Sequence, residues 1–151
     1  QPKRSTMQRV LAAVDGSDPS IRGVEFAADL AAKYGAELVL LAVAPDVPDA
    51  GLEAYARAEH LRAPGNVLPL AAADAILTRA RDRAVAKGAT RIVTEAELGD
   101  PAGRIIDQAR DRKADLVVMG SRGHGRLAGL VLGSVAQKVV SHAPCPVTVV
   151  R

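Results

Sequence analysis

The sequence predicts an α/β fold: one parallel β-sheet with helices on both of its faces. Three observations lead to this prediction. Five short runs rich in Val or Leu recur along the 151 residues, and each is nearly continuous, as in strands buried on both faces. Helical patterns with start and stop signals separate the runs. The length suits one domain with a full core. Regular alternation of strand and helix favours parallel strands joined by right-handed crossovers.

The predicted strands are short, apolar and followed by polar or glycine-containing turns. They are Arg9–Val14, Ala36–Ala44, Thr90–Ala96, Ala114–Gly120 and Cys145–Val150. The third is more polar than the others. The first ends in the letters DGSD, and the fourth runs into a glycine-rich stretch. These two strand ends carry the most unusual chemistry in the chain.

The four predicted helices each place small or aliphatic residues on one face. In the first, these are Ile21, Val24, Ala28 and Ala31, with Ser17 as a cap and Gly35 as the stop. In the second, they are Leu70, Ala73, Ile76, Leu77, Ala80 and Ala84, with Gly88 as the stop. Asp100 and Pro101 start the third, which continues through Ala102, Ile105 and Ala109. Ser134 is predicted to cap the fourth, which has Ala136, Val139 and Val140 behind it and Pro144 beyond its end.

Two segments interrupt this rhythm. Residues 1–8 are predicted to form a flexible arm. Residues 45–69 contain four prolines and two glycines and are predicted to form a long mobile connection. A short helix within residues 51–62 is compatible with that reading.

Composition argues against several classes of protein. The net charge is +3 and is scattered, and the chain has two Tyr, one Phe and no Trp, so a nucleic-acid reader with a basic stripe and stacking platforms is disfavoured. No apolar run approaches the roughly 20 residues of a membrane span, and no secretory signal precedes the first strand. A cytoplasmic protein is the expectation. The single Cys145 excludes an internal disulfide and a cysteine-built metal site.

The glycine-rich stretch between Gly120 and Gly133 contains five glycines. Glycine permits close approach of the backbone to a ligand, and successive N–H groups can form a concave nest for oxyanions. The stretch ends at Gly133 and Ser134, where a helix begins and its dipole favours an anion. Arg122 and Arg126 add positive charge. A phosphate group is therefore the expected ligand. The stretch matches neither the P-loop motif nor the two-glycine dinucleotide-binding fingerprint.

The order Gly120-x-x-Gly123, nine residues, then Gly133-Ser134 resembles the ATP-binding signature of the universal stress protein family. The segments VLAAVDGSDPS, GDPAGRIIDQARDRKADLVVMGSRG and GSVAQKVVSHAPCPVTVVR resemble the same family in the same order. The resemblance implies a five-stranded parallel sheet of order 3-2-1-4-5. It also implies a crevice between the loops that follow strands one and four.

The resemblance implies contacts to ATP as well. Asp15 and the backbone near Ala13 and Val43 would contact the adenosine. The ribose and phosphates would be surrounded by Met119, Gly120, Arg122, Gly123, Gly133, Ser134 and Val135. Any Mg²⁺ would be held mainly by the phosphates. Asp15 has a second interpretation, in which it only braces the turn or caps the first helix.

No catalytic constellation or metal-ligand spacing stands out in the sequence, which favours a nucleotide-dependent regulatory module in stress response. Two alternatives remain: a slow ATPase or other adenine-nucleotide enzyme, and a dimeric scaffold without nucleotide. The resemblance and the bare apolar segment Val147–Val150 predict a homodimer joined through strand five. Its protein partner is unknown.

Overall fold

The computed structural model describes residues 6–45, 67–122 and 132–151, with the side chains of residues 67–69 outside that description. The strands are β1 (Arg9–Ala13), β2 (Glu37–Ala44), β3 (Ile92–Leu98), β4 (Leu116–Gly120) and β5 (Val147–Val150). The helices are α1 (Asp18–Tyr34), α2 (Val67–Ala86), α3 (Pro101–Asp111) and α4 (Ser134–His142). Strand and helix alternate as the sequence predicts.

The sheet confirms the predicted class and order. Its five strands are all parallel and run β3-β2-β1-β4-β5. The strand order reverses between β1 and β4, which are direct neighbours, with Leu11 opposite Val117. In such sheets ligands bind outside the carboxyl ends of the strands at this reversal.

Two apolar clusters fill the space between the sheet and its helices. One joins α1 and α2 to one face of the sheet through residues such as Val24, Ala80 and Val118. The other joins α3 and α4 to the opposite face through residues such as Ile105, Val139 and Leu41. Because each strand alternates its side chains between the two clusters, the sheet is covered on both faces.

The predicted cap signals are largely confirmed. Ser17 is the N-cap of α1 and accepts a hydrogen bond from the Ser20 amide, and Gly35 ends that helix with φ of 65°. Asp100 caps α3 and accepts from the Gly103 amide at 2.9 Å. Each of these groups satisfies a backbone donor or acceptor that the helix end would otherwise leave open.

The predicted N-cap of α4, Ser134, was wrong. Gly133 holds the N-cap position in an extended conformation and makes no side-chain cap bond, and Ser134 is the first helical residue. The serine is thus one position too late to cap, because its own backbone already belongs to the helix. Its hydroxyl stays exposed at the helix N-terminus.

Several predicted boundaries and burials were also wrong. The third strand lies two residues later than predicted, because its pairing with β2 continues to Leu98 opposite Ala44. β3 and β5 are only half-buried, since they form the edges of the sheet. Val140, which the sequence places behind the start of the fourth helix, is 48% exposed.

The two segments predicted to be irregular lie mostly outside the described residues. Within the predicted arm, Met7 packs against the core, and the Gln8 amide donates to Asp115 at 2.8 Å. The predicted arm therefore does not extend to these two residues. At the other segment, α2 begins at Val67, inside the predicted connection.

Candidate functional site

The turn after β1 is held by the carboxylate of Asp15. Its Oδ1 accepts from the Ser17 amide at 2.9 Å and from the Ser17 hydroxyl at 2.5 Å. Gly16 between them has φ of 85°, a conformation that side-chain-bearing residues rarely adopt. Asp15 thus braces the turn, while Ser17, not Asp15, caps α1. The carboxylate is half-buried at the carboxyl end of β1.

The loops after β1 and β4 meet directly. The Ser17 hydroxyl lies 3.4 Å from the carbonyl oxygen of Arg122. Beside it, a Cβ added to Gly120 would lie 2.8 Å from the Ser20 nitrogen and 3.0 Å from the Pro19 carbonyl carbon. The end of β4 therefore touches the first turn of α1 backbone to backbone. The two strand ends singled out by the sequence therefore lie side by side at the carboxyl edge of the sheet.

The two ends of the glycine-rich loop also come together. The Gly133 amide donates to the carbonyl of Ser121 at 2.7 Å, and the Ser121 amide donates to Val150 of β5 at 2.7 Å. A Cβ on Gly133 would lie 3.3 Å from the Arg122 Cα. The start of α4 is thereby fixed beside the end of β4, with Ser121 buried between them.

Apolar side chains form one wall at this edge of the sheet. Ala13 and Met119 are buried members of the α3–α4 cluster, and the half-buried Val43, Leu132 and Val135 pack against it. They come from β1, β4, β2 and the start of α4. Partly exposed apolar residues beside polar loops suit a flat, weakly polar group such as a nucleobase.

The part of this edge at the start of α4 is polar. The first turn of α4 contains no acidic residue, and Ser134 and Arg122 are exposed next to it. Lys138, one turn further along α4, lies 3.7 Å from Asp100 at the start of α3. Unpaired N–H groups and the positive end of the helix dipole favour an anion at the start of α4.

The structure brings together nine of the ten predicted site residues at the carboxyl edge of the sheet, and Gly123 lies outside the described residues. The missing side chain of Gly120 makes room for α1, and its contact with a nucleotide stays a prediction. Sequence reasoning missed Ser121, whose backbone bonds join the loop to β5. Its only sequence signal is its position directly after β4.

Elsewhere the described residues show little reactive chemistry. Within residues 6–45, 67–122 and 132–151, no group of three His, Cys, Asp or Glu side chains is arranged to hold a metal ion. Burial, with a contribution from Asp115, raises the pKa of the Cys145 thiol. That thiol lies before β5, at the amino-terminal edge of the sheet, away from the crevice. No helix in the described part of the chain is both long and apolar enough to span a bilayer.

Comparison with known proteins decides the family. The sequence profile described as "Universal stress protein family" matches residues 6–151. The chain belongs to the universal stress protein family. A universal stress protein of Thermus aquaticus is 38% identical over 146 residues, which cover 94% of this chain and 97% of its own length.

Solved universal stress proteins share its fold. One, crystallised in complex with cAMP, matches with a TM-score of 0.70 and 32% identity, covering 97% of this chain and 98% of its own. Another, from Archaeoglobus fulgidus in complex with dAMP, matches with a TM-score of 0.65 and 25% identity, covering 98% and 100%. Both of these relatives bind adenine nucleotides.

Proposed function

We propose that this universal stress protein binds ATP in the crevice between the β1 and β4 loops and acts as a regulatory module in stress response. The observation that carries the proposal is the junction of the two loops, where Ser17 approaches Arg122 and Gly133 bonds to Ser121. This junction sets an apolar wall beside a helix N-terminus. Adenosine and phosphates need those two environments at one place.

The proposal assigns separate residues to the adenosine and to the phosphates of ATP. The adenine lies against Val43 and Ala13, and Asp15 accepts from a ribose hydroxyl or an amino group. The phosphates lie at the start of α4, where the Gly133–Val135 backbone, the Ser134 hydroxyl and Arg122 meet them. Mg²⁺ would be held mainly by the phosphates. ATP-dependent changes around the loop would then alter contacts with a protein partner.

Isothermal titration tests the nucleotide assignment. ATP is expected to bind more tightly than GTP, with cAMP and dAMP as further adenine ligands. Replacement Asp15→Asn is expected to weaken ATP binding by about tenfold or more, because one charged acceptor is lost. Asp18→Asn is the matched control, since Asp18 is exposed in the same turn and belongs to no predicted contact.

The outcomes separate the alternatives. No heat with any adenine nucleotide would favour the scaffold reading. ATP binding that survives Asp15→Asn would leave Asp15 with only its role in bracing the turn. Equal affinities for ATP and GTP would contradict the predicted preference for adenine.

We also propose a homodimer joined through β5, as the family resemblance implies. The order of the sheet leaves β5 at one edge. Val117 donates to Pro146 and Ser121 donates to Val150 on the β4 side, so the alternating backbone groups of Val147 and Val149 point to the free edge. Val149→Pro would remove an outward N–H without breaking a β4–β5 bond.

A further inference from the structure

Lys138 lies on the flank of α4 that begins with Ser134 and Val135, two of the residues proposed to meet the phosphates. It follows Ser134 by four residues and Val135 by three, and residues at these spacings are neighbours on the surface of a helix. Its Cα is about 6 Å further along the helix axis than that of Ser134. Lys138 and Ser134 are both exposed, so the lysine stands within about one turn of the proposed phosphate-binding amides.

The ion pair with Asp100 shows where the ammonium group of Lys138 lies. Asp100 is the N-cap of α3, and α3 begins just after β3 ends, at the carboxyl edge of the sheet. The Lys138 Nζ atom is 3.7 Å from Asp100 Oδ2. Because helical side chains lean toward the N-terminus of their own helix, Lys138 brings its charge back from the second turn of α4 to the edge where α3 and α4 both begin.

The two partners of this ion pair differ in how firmly they are held. The same Oδ2 atom of Asp100 accepts from the Gly103 amide at 2.9 Å, so the cap of α3 fixes the carboxylate. Lys138 instead has a flexible four-carbon stem, and the two side chains are 57% and 64% exposed. Exposed ion pairs contribute little to stability. A more highly charged anion nearby can therefore draw the ammonium group away from Asp100 at small cost.

The first turn of α4 can neutralise one phosphate group more easily than a chain of them. The positive end of a helix dipole is equivalent to about half a unit charge, and this turn contains no acidic residue that would oppose it. Each further phosphate adds negative charge, which cationic side chains stabilise through charge-assisted hydrogen bonds. Arg122 is exposed next to this turn, and the ammonium group of Lys138 lies beside the start of α3. Lys138 is therefore suited to the phosphates beyond the first.

We propose that Lys138 exchanges Asp100 for the outer phosphates of a bound nucleotide and so makes the site selective for nucleoside triphosphates over monophosphates. The inference rests on the proposed ATP site and deepens it by naming a residue that selects the length of the phosphate chain. Asp100 opposes binding of the longer chain in two ways, because it competes for the ammonium group and its own negative charge repels the phosphates. The two residues thus have opposite effects on the preference for ATP over AMP.

Isothermal titration with ATP and with AMP, at one fixed Mg²⁺ concentration, tests the role of Lys138. In Lys138→Met the dissociation constant for ATP is expected to rise by about tenfold or more, because a charge-assisted bond is lost, while that for AMP stays within about twofold. Lys138→Arg keeps the charge and is expected to stay within about threefold of the parent for both. Lys33→Met is the matched control, since Lys33 forms a similarly exposed pair with Asp29 at 3.4 Å in the last turn of α1, and it should change neither constant by more than about twofold.

Asp100→Asn tests the other partner with the opposite sign. Asparagine is as good an N-cap as aspartate, so α3 keeps its cap to the Gly103 amide while the competing charge is removed. ATP is expected to bind about threefold more tightly to this variant than to the parent, and AMP within about twofold. Melting temperatures within a few degrees of the parent, measured by far-ultraviolet circular dichroism, are expected for all four variants because each replaced side chain is exposed.

The ratio of the two dissociation constants separates this inference from the proposed ATP site. If the parent binds neither nucleotide, both proposals are overturned. If the parent binds ATP and Lys138→Met leaves the ratio of ATP to AMP affinity unchanged, the exchange is refuted and the ATP site stands. An equal loss of ATP binding in Lys33→Met would also refute it, because the effect would then come from net charge alone. A ratio that falls in Lys138→Met, recovers in Lys138→Arg and rises in Asp100→Asn supports the exchange.

Discussion

The close contact between Gly120 and α1 can be tested by adding one methyl group. In Gly120→Ala the new Cβ would lie 2.8 Å from the Ser20 nitrogen and 3.0 Å from Pro19. These neighbours are mainly backbone, so α1 would have to retreat by about 0.6 Å before the pair reached the 3.4 Å of ordinary contact. Such overpacking costs about 1–3 kcal/mol.

Gly23→Ala is the matched control at the same helix–strand contact. Its Cβ would lie 3.5 Å from Val118 Cγ1, which is ordinary van der Waals distance. Since alanine is the better helix former by about 0.5–1 kcal/mol, this variant is expected to be more stable than the parent. One methyl group thus has opposite effects on the two sides of one contact.

Thermal unfolding followed by far-ultraviolet circular dichroism measures both variants, since the chain lacks Trp. At roughly 2–4 °C per kcal/mol for a chain of this length, a loss of about 2 kcal/mol lowers the Tm of Gly120→Ala by about 4–8 °C. Gly23→Ala is expected to melt about 1–4 °C higher. An unchanged Tm for Gly120→Ala would refute the packing role, and a loss of ATP binding in the same variant would support the predicted ligand role.

Four further outcomes are expected. Lys113 has φ of 55° after α3, so Lys113→Gly should raise the free energy of unfolding in urea by about 0.5–1 kcal/mol, and an unchanged midpoint would contradict this. Gly133→Val should abolish the heat of ATP binding, because its Cβ would press on the Arg122 Cα 3.3 Å away and displace the junction between the loop and α4; parent-like heats would show that the phosphates lie elsewhere. Cys145, whose pKa is raised mainly by burial, should be mostly protonated at pH 8 and react with Ellman's reagent more slowly than free cysteine; an equal rate would argue against its burial. ATP hydrolysis should stay far below about 10 s⁻¹, and a rate near that value lost in a crevice variant would indicate an enzyme.

The fold was predictable because local signals agreed with one another. Gly35 and Asp100 mark helix ends by properties that act within a few residues, namely a left-handed conformation and a capping carboxylate. The nearly continuous apolar runs identified the central strands. The strand order came from the family resemblance, and the pairing of β1 with β4 confirms it.

The errors arose where distant parts of the chain decide the outcome. The end of β3 depends on pairing with Ala44 of β2. The packing of Gly120 against Pro19 and Ser20, about 100 residues away in sequence, was not predicted either. A one-residue shift at the start of α4 moved Ser134 from the cap into the helix.

The backbone contact at Gly120 also has a consequence for the rigidity of the proposed ATP site. Because no side chain lies between β4 and the first turn of α1, a simple rotamer change cannot alter the distance between these two elements. Their spacing is preorganised, so binding need not spend conformational entropy on ordering them. In the proposed ATP site, an ill-fitting nucleotide is therefore expected to dissociate quickly instead of displacing α1 from β4.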